Sequence, residues 1–233
     1  MGVKEIDAGA GLIYGDVNYI EAVTTILMAI LGWLFGMLTP GIVERIRRPY
    51  RRKELTEAIV DEMHSLEFVM ALMAYAIRAR YADVSDAFMD EILPVLESYN
   101  GSDRDEKTVE AMKRLRALPE AERKKSYQGS RKSNEGIGLK QYGMPLLVSQ
   151  TADLPICSLD FQRAILRIRY QLDLFNQLVP YVQSLFEKTY NNPREQDRQA
   201  LIANQEQAYQ DAGKRAEIIV RGIGKLRKEH GRA

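Results

Sequence analysis

Residues 22–38 read AVTTILMAILGWLFGML, seventeen positions without one charged side chain. As a helix rising about 1.5 Å per residue, this stretch reaches roughly 26 Å. Continued through Thr39 and Pro40 to Val43 it reaches about 33 Å, enough for a hydrocarbon core about 30 Å thick. Val23, Ile26, Leu27, Ile30, Leu31, Leu34, Phe35 and Leu38 each favour insertion by about 0.3 to 0.6 kcal/mol at a helix centre. A core helix in a soluble protein keeps a polar face, and this segment has none. The reading is a transmembrane helix over residues 17–43.

The flanks argue orientation. Arg45, Arg47, Arg48, Arg51, Arg52 and Lys53 follow the span, whereas the preceding residues offer only Lys4 against Glu5, Asp7, Asp16 and Glu21. Cationic residues beside a span stay on the cytoplasmic side. Residues 1–16 are therefore expected as a short external tail, residues 44–53 as a basic juxtamembrane collar, and residues 54–233 as cytoplasmic. The absent cationic n-region, with no A-x-A site after Leu38, argues against a cleaved signal peptide. The expected location is a bacterial inner membrane, crossed once. Each collar cation near an anionic leaflet adds about 1 kcal/mol of surface attraction.

Thr25, Ala29, Gly32, Gly36 and Thr39 recur at steps of four, three, four and three. They share one face of the span. Gly32 and Gly36 form a G-x-x-x-G pair, which lets two backbones approach closely. This face is the predicted packing surface for a homo-oligomer or another protein's helix. Small residues are also simply common in membrane helices.

Beyond the collar the chain reads as all-α. Leu55, Ile59, Met63, Leu66, Met70, Met73 and Ile77 recur every three or four positions, predicting an amphipathic helix over 52–82. It follows the span almost directly, with a break expected near Pro40 or Pro49. Asp83 and Ser85 suit the cap of a short helix carrying Phe88, Ile92, Val95 and Leu96, with a bend at Pro94. Asn100-Gly101 marks a turn. Asp103 with Glu106 resembles a capping box before Val109, Met112 and Leu115, and Pro119 suits the first turn of a helix at 120–127.

Gly129, Gly136, Gly138, Gly143, Pro145 and Pro155 then punctuate residues 128–157, which carry no helical period. A loop this long is usually functional or disordered. Its Met144–Val148 stretch is apolar enough to pack back, and Arg131, Lys132 and Lys140 offer cations for a phosphate.

From Ser158 the positions Ile165, Ile168, Leu172, Phe175, Val179, Val182 and Phe186 predict the seam of a bundle or coiled coil. Pro180 is expected to kink this helix by removing the bond to Asn176. In Asn191-Asn192-Pro193 the spacing predicts a turn, with Asn192 as N-cap and Glu195 completing a box. A last helix carries Ile202, Tyr209, Ala212, Ala216, Ile219, Ile223 and Leu226. The expected fold is an N-terminal transmembrane helix followed by an elongated cytoplasmic bundle of antiparallel long helices.

Catalytic constellations are incomplete. His64 follows Asp61 at i+3, but a di-metal bundle needs that pattern twice, and His230 lacks the partner carboxylate. One cysteine, Cys157, supports neither a disulfide framework nor a zinc site. Gly222-Ile223-Gly224-Lys225 lacks the spacing and hydroxyl of a phosphate loop. No cofactor or metal is expected, and a net charge of +1 gives no global field for nucleic acid. The leading expectation is a non-enzymatic membrane-anchored adaptor or signalling subunit, with the bilayer and an unidentified protein as partners. The alternatives are an enzyme or nucleotide sensor built on the 128–157 loop, and an effector that permeabilises membranes through its oligomerised span.

Overall fold

A computed structural model describes residues 11–99, 103–130, 137–191 and 194–231, with the main chain alone at 11–18, 20, 38–41, 103–105 and 130. These residues are all-α, without a strand among them. The helices are α1 (Gly11–Arg80), α2 (Asp86–Glu97), α3 (Asp103–Ala117), α4 (Glu120–Ser130), α5 (Pro145–Ser149), α6 (Leu159–Asn191) and α7 (Glu195–His230). A 3-10 turn at Thr151–Ile156 sits between α5 and α6. The chain divides into two compact units, Met1–Lys53 and Glu54–Ala233.

In the first unit α1 begins at Gly11, inside the segment expected as a tail, and residues 1–10 lie outside the described ones. The helix passes Pro40 and Pro49 without the expected break. A proline removes one helix bond, but its φ is compatible with helix.

The second unit owns the core. Ile59, Met63, Met70 and Ala74 of α1 are buried with Phe161, Ile165 and Phe175 of α6 and with Ala212, Ala216, Ile219 and Ile223 of α7. Contacts pair the start of α6 with the end of α7. Phe161 meets the His230 ring edge-on at 5.0 Å, and Arg215 donates to Gln171 at 2.8 Å. Small residues on α7 set its close approach. A Cβ at Gly213 would sit 2.9 Å from Cγ2 of Ile77, and one at Gly222 would sit 3.3 Å from Ile168.

The α6 seam follows the predicted positions from Ile165 to Val182 and then departs. Leu185 is buried at 5% exposure, while Phe186 is 49% exposed. α1 ends at Arg80, where Tyr81 donates to the carbonyl of Glu206 on α7 at 3.1 Å.

Of the two caps expected for α2, Ser85 is the N-cap and accepts from the Phe88 N–H at 3.2 Å. The fully buried Arg123 of α4 pairs with Asp86 of α2 and donates to the Arg116 carbonyl at 3.4 Å, leaving its Nε without a partner. Tyr75 and Tyr127 meet hydroxyl to hydroxyl at 3.1 Å, tying α4 to α1. Asn100-Gly101 and Asn192-Pro193 lie outside the described residues; α7 starts at Glu195 with Arg194 extended before it.

The 128–157 segment is not one loop. α4 extends to Ser130, residues 131–136, with Arg131 and Lys132, lie outside the described ones, and α5 and the 3-10 turn occupy most of the remainder. Leu139, Met144, Leu147, Leu154 and Cys157 are buried, whereas Val148 is exposed. Polar anchors reach it from three long helices. Both Glu62 oxygens accept from the N–H groups of Leu146 and Leu147, at 2.7 and 2.9 Å. Tyr209 donates to the Ile137 carbonyl at 2.9 Å, and Gln141 donates to the Asn176 carbonyl at 3.2 Å. That carbonyl is the one Pro180 leaves without its helical donor. Such anchors lie tens of residues from their partners, which is why local periodicity missed them.

Candidate functional site

Two places stand out, one in each unit. In the first, every residue from Ala22 to Met37 is exposed, among them Ile26, Leu27, Met28, Trp33 and Phe35. A soluble monomer rarely exposes so large a contiguous apolar patch. Length and composition suffice to cross a bilayer, a test that soluble core helices and signal sequences also pass. Nothing lies within 4 Å of a Cβ built at Gly32 or Gly36, and Ala29 on the same face is exposed. Thr25 is exposed too, its hydroxyl donating back to the Glu21 carbonyl at 2.8 Å. The Thr39 side chain lies outside the description. Arg45, Arg47, Arg48, Arg51, Arg52 and Lys53 follow on α1, all exposed.

In the second unit, α1, α2 and α7 enclose a cleft of about 880 Å³. Its α1 wall carries Glu57, Asp61, His64 and Glu67; its α2 wall carries Asp90 and Glu91; its α7 wall carries Arg221, Lys225, Arg227, Lys228 and His230. Val60, Val95 and Val220 supply apolar lining. Both histidines of the chain therefore face one cavity, although 166 positions separate them. Gly224 belongs to the lining, and a Cβ there would come within 3.3 Å of Glu67 Oε1.

Ion pairs fix the walls. Glu67 is 1% exposed and accepts from Arg227 at 2.6 Å. Burial raises its carboxyl pKa above the ordinary value, against the hydrogen bond and charge of Arg227. Arg221 grips Glu91 with two bonds, 2.5 and 2.9 Å, and its own pKa is raised by that pairing. Next along α7, Glu217 takes two bonds from Arg78, at 2.6 and 3.1 Å, while Arg78 stacks over Phe88 at 4.6 Å. His64 Nε2 lies 3.1 Å from the Ser98 hydroxyl, and its pKa is lowered by burial and then by Arg227, against Asp61.

The sequence motifs resolve accordingly. His64 keeps Asp61 beside it, and no cluster of three metal-ligating side chains occurs among the described residues. Cys157 is buried with its sulfur 3.7 Å from the Thr56 hydroxyl. The glycines of Gly222-Ile223-Gly224-Lys225 lie inside α7 and serve packing. No described residue of 128–157 lines the cleft. Sequence reasoning missed the cleft because its walls come from three distant segments. The pairing of charges at three- and four-residue steps on α1 and α7 was its only local trace.

No family model matches the chain, and neither a curated protein nor a solved structure does.

Proposed function

We propose that this chain is a single-pass membrane-anchored adaptor or signalling subunit. Its α1 span sits in the bilayer, its N-terminus lies outside, and residues 54–233 form an antiparallel helical bundle in the cytoplasm that binds another protein. The observation that carries this reading is the uncharged, wholly exposed run from Ala22 to Met37, with six exposed cations between Arg45 and Lys53. A core helix would bury such a run; a bilayer covers it. The exposed Thr25–Ala29–Gly32–Gly36 face supports self-association of the span.

The adaptor reading is favoured over an enzyme because residues 137–157, the described part of the segment that an enzyme reading would use, are anchored by Glu62, Asn176 and Tyr209 and bury Leu139, Met144, Leu147 and Leu154. Those contacts make that part a structural strap. The test is topological. The full chain should resist alkaline carbonate extraction from membranes. A reporter active only in the cytoplasm should work at residue 233, and replacing the six collar cations with glutamine should reduce or invert that signal. Carbonate-soluble protein, or activity of a periplasmic reporter alone at residue 233, would overturn the assignment.

A further inference from the structure

The charged cleft has a balance of its own. Its lining holds five carboxylates, Glu57, Asp61, Glu67, Asp90 and Glu91, against the cations Arg221, Lys225, Arg227 and Lys228. Most are committed: Glu67 to Arg227, Glu91 to Arg221, and Asp90 to Arg116 at 3.0 Å. Among the described residues, Lys225 has only a long, exposed contact of 3.8 Å to Glu229. Asp61 and Lys228 are both exposed, and neither side chain makes a hydrogen bond or ion pair among the described residues.

The two uncommitted charges have opposite signs and stand on different walls. Asp61 lies one turn beyond Glu57 on α1, and Lys228 lies three positions after Lys225 on α7. A simple anion would meet the α1 carboxylates, and a simple cation would meet the α7 ammonium groups. A molecule carrying both charges avoids either repulsion. Two ammonium groups one turn apart also match a phosphate monoester, whose charge near neutrality is about −1.5 to −2. The volume falls within the range of small-molecule sites, about 300 to 1,000 Å³.

We propose that this cleft binds a zwitterion with an ammonium and a phosphate on one short backbone. The ammonium faces Asp61, the phosphate faces Lys225 and Lys228, and His64 and His230 line the same cleft. The cleft exceeds such a group in size, leaving room for an attached glycerol. The same chemistry is offered by a soluble phosphoamine and by a lipid headgroup. This site does not depend on the membrane assignment, since the soluble ligand reaches it in either case.

The experiment uses the full chain in detergent, with methyl resonances of Val60, Val95 and Val220 as reporters inside the cleft. O-phosphoethanolamine should shift them saturably, while ethanolamine and inorganic phosphate bind at least about tenfold more weakly. Asp61→Asn and Lys228→Gln, both at exposed positions, should each weaken binding about tenfold, with Lys214→Gln elsewhere on α7 as a control without effect. In nanodiscs, shifts with phosphatidylethanolamine but not with phosphatidylglycerol would assign the ligand to a lipid headgroup. Shifts with the soluble compound alone would assign a free phosphoamine. Equal affinity for inorganic phosphate, indifference to Asp61→Asn, or unmoved methyls in both arms would overturn the proposal.

Discussion

The carboxamide of Asn176 closes on the main chain of Tyr142 from both sides, accepting from its N–H at 3.0 Å and donating to its carbonyl at 2.7 Å. One side chain of α6 thereby imitates a strand neighbour for an irregular segment. The position is tied to Pro180, four residues on, because the Asn176 carbonyl lacks its helical donor and takes Gln141 instead. A helix defect and a loop anchor thus coincide.

Removing that clamp should loosen the segment without unfolding the long helices. Asn176→Ala leaves the Tyr142 N–H and carbonyl without these partners, at a cost of about 1 to 3 kcal/mol. Hydrogen exchange should quicken at residues 137–157 and stay slow in α6 and α7. Glu62→Ala, which strips the acceptors from Leu146 and Leu147, should give the same regional pattern. Uniform acceleration across the second unit would refute the anchoring role.

Core positions on α6 should separate by coverage. Leu172 is buried, so Leu172→Ala should cost about 2 to 5 kcal/mol. Phe186 is half exposed, and Phe186→Ala should cost about 1 kcal/mol or less despite the larger side chain removed. Chemical denaturation of the full chain in detergent measures both. Equal losses would restore the simple heptad seam.

His64 predicts an acid-side loss of stability. Its folded pKa lies below the ordinary 6.5, through burial and then Arg227. The unfolded chain therefore takes up the proton first, so the contribution is intact above pH 6.5 and is lost as pH falls through the folded value. The neighbouring charges are Asp61 and Glu67 on α1, Asp90 and Glu91 on α2, and Arg227 and Lys228 on α7. Glu67, with its raised pKa, acts in the opposite sense, its contribution present at low pH and lost as pH rises. Comparison with His64→Gln isolates the histidine: the variant should show a shallower stability decline between about pH 6.5 and 5. Parallel slopes would contradict the burial argument.

Span self-association should depend on the small-residue face. Replacing Gly32 and Gly36 together with isoleucine should abolish dimerisation in a membrane two-hybrid assay, because branched side chains hold the backbones apart. Replacing Leu27 and Leu34, on the opposite side of the helix, with isoleucine should leave it intact. An unchanged signal in the double glycine variant would count against this face.

Much of the all-α character was legible because helical burial repeats every three or four residues. The α6 seam from Ile165 to Val182 and the Ser85 cap show this directly. Phe186 was misplaced because the spacing allows a step of three or four after Val182, and the buried step is three, to Leu185. Glu62, Glu67, Asn176 and Arg123 carry no local signal at all. Each is buried or bonded by residues far along the chain, and a charged or amide residue inside a helix reads, from sequence, as solvent-facing. The cleft is illegible for the same reason.

The notches at Gly213 and Gly224 carry a further consequence for α7. Ile77 fills the space a side chain would need at Gly213, and the Glu67 carboxylate crowds the one at Gly224. Arg227 and Glu217 lock onto Glu67 and Arg78 close by. Sliding α7 by one turn would drive alanine or larger side chains into both notches and break both locks together. The helix is keyed like a bolt in its ward. It has one seated position, and any displacement of α7 along α1 must be all or nothing.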